Sequence, residues 1–439
     1  MTVRCAGLTV AIVALAVYAL AGGTAFQYDD FRVIVGDARV HAWSAWAASM
    51  PGMRALTKAT YVVNWTTQPS AAAFAWTGVA LHIACSLLVL ALARRWIPAM
   101  ARDCPRPEAA VLVCALAFAL HPAQTEAVVY AAARSTTLST LAMLFGLYAW
   151  ERARTISRTR WIALCVLALA ASLAAREAAW TLPFAIVLVE LTRGAGMRDA
   201  MRASAPLWIA LAALAGIGAT IAAHRQLLAS SVGIRGPLEN LVAQVDAVAY
   251  LVTHPLLTLR VNFDPDLAVR GALDAGWWTK LATIAAALAF AVLQLRRRPW
   301  LGFSILWFAL ALLPTHSFLA RLELANDRQL YLAMVGPALA LGVGIAALPS
   351  RALAVTAAVA LASILGFATF VRVGDYSSES RLWSATVRAS PENARAWNNL
   401  GYALAAEGDV TGARAAYEKA LAIEPSSPRA RGNLDALPR

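Results

Sequence analysis

Charge is what this sequence has least of. Only 14% of its 439 residues are Asp, Glu, Lys or Arg, while 60% are hydrophobic. A soluble domain usually carries about 25% charged residues. With a mean hydropathy of +0.60, the deficit argues against an ordinary soluble core and for a polytopic membrane protein. Cysteine is also scarce. Cys5, Cys85, Cys104, Cys114 and Cys165 form no CxxC and no His/Cys ligand spacing, which speaks against a disulfide framework or a zinc site. No P-loop and no Rossmann glycine pattern occurs, so nothing points to a nucleotide site. Acidic residues number 25 against 38 Lys and Arg, a formal net charge of +13. That excess does not indicate nucleic acid, because most arginines sit in short clusters between apolar runs, the pattern of positive-inside anchoring.

What is present is a series of apolar runs. A span needs about 20 apolar residues, and the runs predict an all-α protein of about eleven transmembrane helices. They are expected near 7–26, 72–93, 108–121, 135–150, 161–175, 178–191, 206–223, 277–295, 300–315, 329–348 and 352–371. The first also fits a cleaved signal peptide, with Arg4 before an apolar core and Gly-Thr-Ala before Phe26. The dense basic connections hold Arg94, Arg95, Arg102 and Arg106; Arg152, Arg154, Arg158 and Arg160; Arg193, Arg198 and Arg202; and Arg296, Arg297 and Arg298. Alternating spans place all four on the cytoplasmic side. The opposite face then receives loops 27–71 and 224–276, the shorter segments 121–134 and 316–328, the turn near 176 and the tail.

The tail, 375–439, is a different kind of sequence from the transmembrane domain, 1–374. Trp397, Leu400, Gly401, Ala413, Tyr417, Ala420 and Pro425 match the tetratricopeptide pattern of two packed helices, and Pro391 to Pro425 spans one period. Only one full repeat is present, with a helix before it and a stub after it. Such arrays normally need three or more repeats, so the unit is expected to pack on the membrane domain or on a protein partner.

Polar groups collect on the outer face. His41, His121, His224, His254 and His316 fall in outer loops or at outer helix ends, with Asp29, Asp30, Asp37, Glu126, Arg134, Glu177, Asp264, Asp266, Glu323, Asp327 and Arg328. Ionisable residues at membrane depth are costly and usually functional, so one polar face on bare spans suggests an enzyme working at the membrane surface. The stretch from Glu239 to Val252 reads as an amphipathic helix, either a lid for a lipid substrate or a packing helix. Arg134 and Arg176 are candidates for meeting a phosphate, which guanidinium groups do well; an internal ion pair or helix-turn anchor is the alternative.

Four motifs together carry a resemblance. YDDFRVIVGDARV after the first span, FALHPAQTEAVVYAAARS, AAREAAWTLP and NDRQLYLAMVGPAL, closed by the tetratricopeptide tail, run in order over nearly the whole chain. The chain so resembles the transmembrane-and-tetratricopeptide protein O-mannosyltransferase family, of the GT-C glycosyltransferase superfamily. The resemblance implies transfer of a sugar from a polyprenyl-phosphate donor to a hydroxyl of a protein or glycan. It implies a bacterial inner-membrane protein with its site and tail on the periplasmic side. Asp29 and Asp30 match the family's paired aspartates, with Asp30 the preferred catalytic base and Asp29 close behind. Arg176, Arg134 and Arg328 are the implied donor-phosphate ligands, and His121, Glu126, Glu177, Asp327 and Tyr331 complete the expected site. No nucleotide site is required, and the acidic pair leaves room for a divalent metal. Ala133 replaces the family's usual Gly, and Gln329 stands where an aromatic is common. Two other readings compete: a non-enzymatic scaffold displaying its tetratricopeptide unit, and a transporter of lipid-linked sugars.

Overall fold

The computed structural model describes residues 3–176, 179–267, 273–317 and 320–438. Every element among them is helical. Each of the eleven expected segments overlaps a helix, but fewer helices are long and apolar enough to span on their own. Among the described residues five helices are long and apolar enough to cross a membrane: Val3–Gly23, Ala71–Met100, Arg158–Ala175, Ala275–Arg297 and Arg351–Asp375. Three bent helix pairs raise the number to at most eight, which is compatible with a membrane protein. Length explains most of the shortfall. Leu182–Thr192 has 11 residues and Pro299–Leu312 has 14; at 1.5 Å per residue neither covers the roughly 30 Å of hydrocarbon. Arg134–Ala153 is long enough, but Arg134, Ser135, Thr136, Thr137, Ser139 and Thr140 load its first turns with polar groups.

Proline sets the bend that matters most. Pro107–Leu120 and Pro122–Val129 meet at 50° because Pro122 lacks an N–H and pushes His121 to an extended conformation. The His121 ring accepts the Ala123 N–H at 3.2 Å and so caps the new helix start. The bent segment lies directly against the long helix Ala71–Met100. A side chain at Gly78 would place its Cβ 1.9 Å from the Val128 carbonyl oxygen, so only glycine permits that approach.

The two ends of the bundle differ. At one end the basic connections converge: Arg102, Arg193 and Arg296 to Arg298 line a common cavity of about 910 Å³, and Arg193 is paired with Glu151 at 2.7 Å. At the other end lie the residues of loop 27–71, which is folded into the short helices Phe31–Val35, Ala38–Val40, Trp43–Ala48 and Ala55–Thr67. The helix Pro237–Leu251 turns its polar residues inward. Asn240, Gln244 and Asp246 are buried; Asn240 donates to the Ser317 carbonyl, Gln244 meets His316 at 2.6 Å and Asp246 meets Lys280 at 2.6 Å. That favours packing, while Leu238 and Leu241 stay exposed on its other face.

The tail folds as Glu379–Ala389, Ala394–Ala406, Val410–Ile423 and Pro428–Asp435. Gly401 admits the Tyr417 ring, which would lie 2.6 Å from any Cβ there. The tail is docked on the rest of the chain. Ser390 accepts from Asn262 at 2.7 Å, Asn393 donates to the Asp264 carbonyl at 3.0 Å, and Arg395 grips the Asp264 carboxylate.

Candidate functional site

A cleft of about 520 Å³ opens between loop 27–71 and the helices below it. The loop enters through Tyr28, whose φ of 39° is left-handed, a conformation that costs a non-glycine residue roughly 1–2 kcal/mol. Three contacts hold it there. Its N–H donates to Glu379 at 2.7 Å, and its ring packs edge-on against Trp383 and Phe263 with centroids 5.5 and 6.3 Å away. The chain then runs through Asp29 and Asp30 into a π-helical turn, Phe31–Val35. Left-handed residues and π-turns both concentrate at functional sites.

The two aspartates have different surroundings. Asp30 is 1% exposed. One of its oxygens accepts the Gln27 N–H at 3.0 Å and the other accepts the Ala132 N–H at 2.6 Å. It therefore ties the loop to the segment before Arg134. Burial pushes its carboxyl up to about 7, outweighing the two N–H donors and the Arg134 charge. The Asp29 side chain is 33% exposed and lines the cleft, with Arg32 at 3.3 Å and its own N–H donating to the Tyr130 hydroxyl at 3.1 Å.

The rest of the wall is cationic. Arg32, Arg39, Arg54, Lys58, Arg176, Arg321 and Arg328 line the cleft, against the carboxylates of Asp29 and Asp37. Asp37 is held by Arg39 at 2.6 Å and Lys58 at 3.7 Å. Arg328 is oriented by Glu126 at 3.0 Å and Glu323 at 2.7 Å, and its backbone N–H also donates to Glu126. Arg176 donates to the Thr136 hydroxyl. Arg176 and Arg328 also border a small inner pocket of about 50 Å³, where Thr136, Ser139, Thr140, Thr181 and Thr315 bring hydroxyls together.

Of the expected phosphate ligands, Arg176 and Arg328 reach the cleft and Arg134 does not. The Arg134 guanidinium is buried beneath the floor, donating to the carbonyls of Thr60 at 3.2 Å and Phe74 at 3.0 Å and stacking 5.0 Å over Tyr61 and 4.8 Å over Phe74. It braces the two helices instead. His121 is a helix cap. Tyr331 is buried and bonds His82 at 2.7 Å; because the other His82 nitrogen faces the Ala119 carbonyl at 2.9 Å, that nitrogen carries the proton and the tyrosine hydroxyl is the donor. Asp327 accepts the Asn262 N–H at 2.8 Å, behind the cleft. Glu177 lies outside the described residues. Among the described residues no three His, Cys, Asp or Glu side chains converge on a metal-sized site.

Sequence reasoning passed over Arg32, Arg39, Arg54, Lys58 and Arg321. Their signal was there, since four of them are basic residues in loop 27–71, on the face where positive-inside anchoring expects few. It also missed Glu379, which only the folded tail brings to Tyr28.

Chemically, a partly exposed carboxylate beside a wall of guanidinium groups can take a proton from a hydroxyl while the wall stabilises phosphate charge. A tetratricopeptide-repeat family model matches residues 369–428, the segment holding the first three tail helices, and such units are commonly protein-interaction modules. No curated protein and no solved structure matches the chain.

Proposed function

We propose that this chain is a membrane glycosyltransferase of the GT-C type, moving a sugar from a polyprenyl-phosphate donor to a hydroxyl of a protein or glycan acceptor. The observation that carries the reading is the cleft itself, with Asp29 facing a wall that includes Arg176 and Arg328. The acceptor hydroxyl attacks the anomeric carbon, forming the new C–O bond as the bond to the lipid phosphate breaks. The electron pair leaves with the phosphate, and the hydroxyl proton passes to a carboxylate. Asp29 suits that role better than Asp30, because both Asp30 oxygens are occupied by backbone N–H groups. Arg176 and Arg328 hold the donor phosphate and stabilise its developing charge. The reading places the protein in a bacterial inner membrane, with the cleft and tail on the periplasmic face.

Comparing outer-face proteins from cells with and without the chain by mass spectrometry tests this. Loss of a hexose-type mass supports the reading, and an unchanged set of modifications counts against it.

The tetratricopeptide match favours a second reading, a scaffold that presents the tail to a protein partner. It predicts that removing 375–439 abolishes function while Asp29 is dispensable.

A further inference from the structure

A second cavity, of about 550 Å³, lies at the basic end between Val3–Val17, Ala71–Met100 and Arg134–Ala153. Its walls divide by chemistry. Gly7, Leu87, Leu90 and Ala91 form an apolar side, and Arg94, Arg95 and Arg152 form the other. No acidic side chain lines it among the described residues. The arginines are held in place by their flanks. Arg95 stacks 5.6 Å over Tyr148, Arg152 stacks 5.4 Å over Trp161, and Arg94 touches Glu108 at 3.5 Å.

Two N–H groups of this cluster, Arg94 Nη1 and Arg152 Nε, are buried without a hydrogen-bond acceptor. The guanidinium groups are thus not fully used by the protein, and where they line the cavity a phosphate oxygen is an acceptor that suits them. The apolar wall beside them offers a ligand of matching shape, a phosphate head on a hydrocarbon chain. Basic pockets between membrane helices take anionic lipid head groups in this way.

We infer that this groove is a binding site for an anionic glycerophospholipid, with its phosphate on Arg94, Arg95 and Arg152 and an acyl chain along Gly7, Leu87 and Leu90. A net-negative head is favoured because, even with Glu108 beside Arg94, the three arginines leave an excess of positive charge at the groove. The inference rests on the membrane placement in the reading above, but not on glycosyl transfer.

The test uses the full chain purified in detergent and examined by native mass spectrometry and thermal unfolding. The probes are phosphatidylglycerol, phosphatidylcholine with the same acyl chains, and inorganic phosphate. Wild type is expected to bind phosphatidylglycerol in preference to phosphatidylcholine, and phosphate alone is expected to give no stabilisation. Arg94→Gln and Arg152→Gln are each expected to weaken phosphatidylglycerol binding about fivefold, the value of one basic contact near an anionic surface. Arg160→Gln, exposed at the same end and outside the groove, is expected to leave it unchanged. Leu90→Trp keeps every arginine and fills the apolar side, so it separates lipid loss from a charge-driven folding defect, and it is expected to abolish binding. Equal binding of the two lipids, equal stabilisation by phosphate, or full binding in Leu90→Trp overturns the assignment. Loss of transfer activity elsewhere in the protein leaves these outcomes untouched, so the two proposals fail separately.

Discussion

The backbone N–H of Tyr28 donates to a carboxylate oxygen of Glu379 at 2.7 Å, a bond between residues 351 positions apart. It joins the tetratricopeptide tail to the residue directly before Asp29. Tyr28 is left-handed at φ 39°, and Glu379 and Trp383 of the tail help to hold it so. The tail thus braces the residue that leads into the cleft. Glu379→Ala releases Tyr28 and is expected to lower kcat for sugar transfer about tenfold, with the donor KM little changed, as for a lost preorganisation. Glu379→Gln keeps an acceptor oxygen and is expected to retain most of the rate. Steady-state kinetics of the two variants, side by side, checks both.

Arg176 and Arg134 are expected to respond differently although both are arginines near one cleft. Arg176→Gln removes a charge from the cleft wall and is expected to weaken donor binding about tenfold or more. Arg134→Gln removes buried bonds to Thr60 and Phe74 and two aromatic stacks. It is expected to destabilise the fold by about 3 kcal/mol or more while the folded fraction binds donor normally. Binding of a polyprenyl-phosphate sugar to each variant in nanodiscs, with thermal unfolding alongside, separates the two effects.

The difference between those arginines marks where reading the sequence stops. Apolar runs made the helices legible, and the large-small pattern from Trp397 to Pro425 made the tail legible, because both are local signals. The motifs also brought Asp29, Arg176 and Arg328 to one cleft. Asp30 could not be told from Asp29, since its second partner is the N–H of Ala132, 102 residues away. Arg134 reads as a phosphate ligand because nothing local announces that it packs against both Tyr61 and Phe74. Composition alone does not count spans: Leu182–Thr192 is largely apolar yet only 11 residues long, and length bears on crossing as much as polarity does.

Asp30 gives the protein a pH dependence with a definite sign. Its folded carboxyl lies at about 7 against an ordinary 3.8, so folding takes up a proton between those values. That contribution is fully present below about pH 4 and is lost as pH rises through about 7. Thermal unfolding of the full chain is expected to show stability falling from about pH 5 to about pH 8, with the slope cut by about half in Asp30→Asn. The variant also carries a pH-independent loss of about 1–3 kcal/mol, because its amide can accept only one of the two N–H groups well.

The central claim is that Asp29 takes the acceptor proton in a sugar transfer supported by the cationic cleft. The most direct measurement is sugar transfer from a polyprenyl-phosphate donor by the full chain reconstituted in lipid, comparing wild type with Asp29→Asn. Transfer by wild type, with a fall of about 100-fold or more in the variant while its unfolding temperature and donor binding stay unchanged, is the predicted result. Undiminished transfer by folded Asp29→Asn would contradict it.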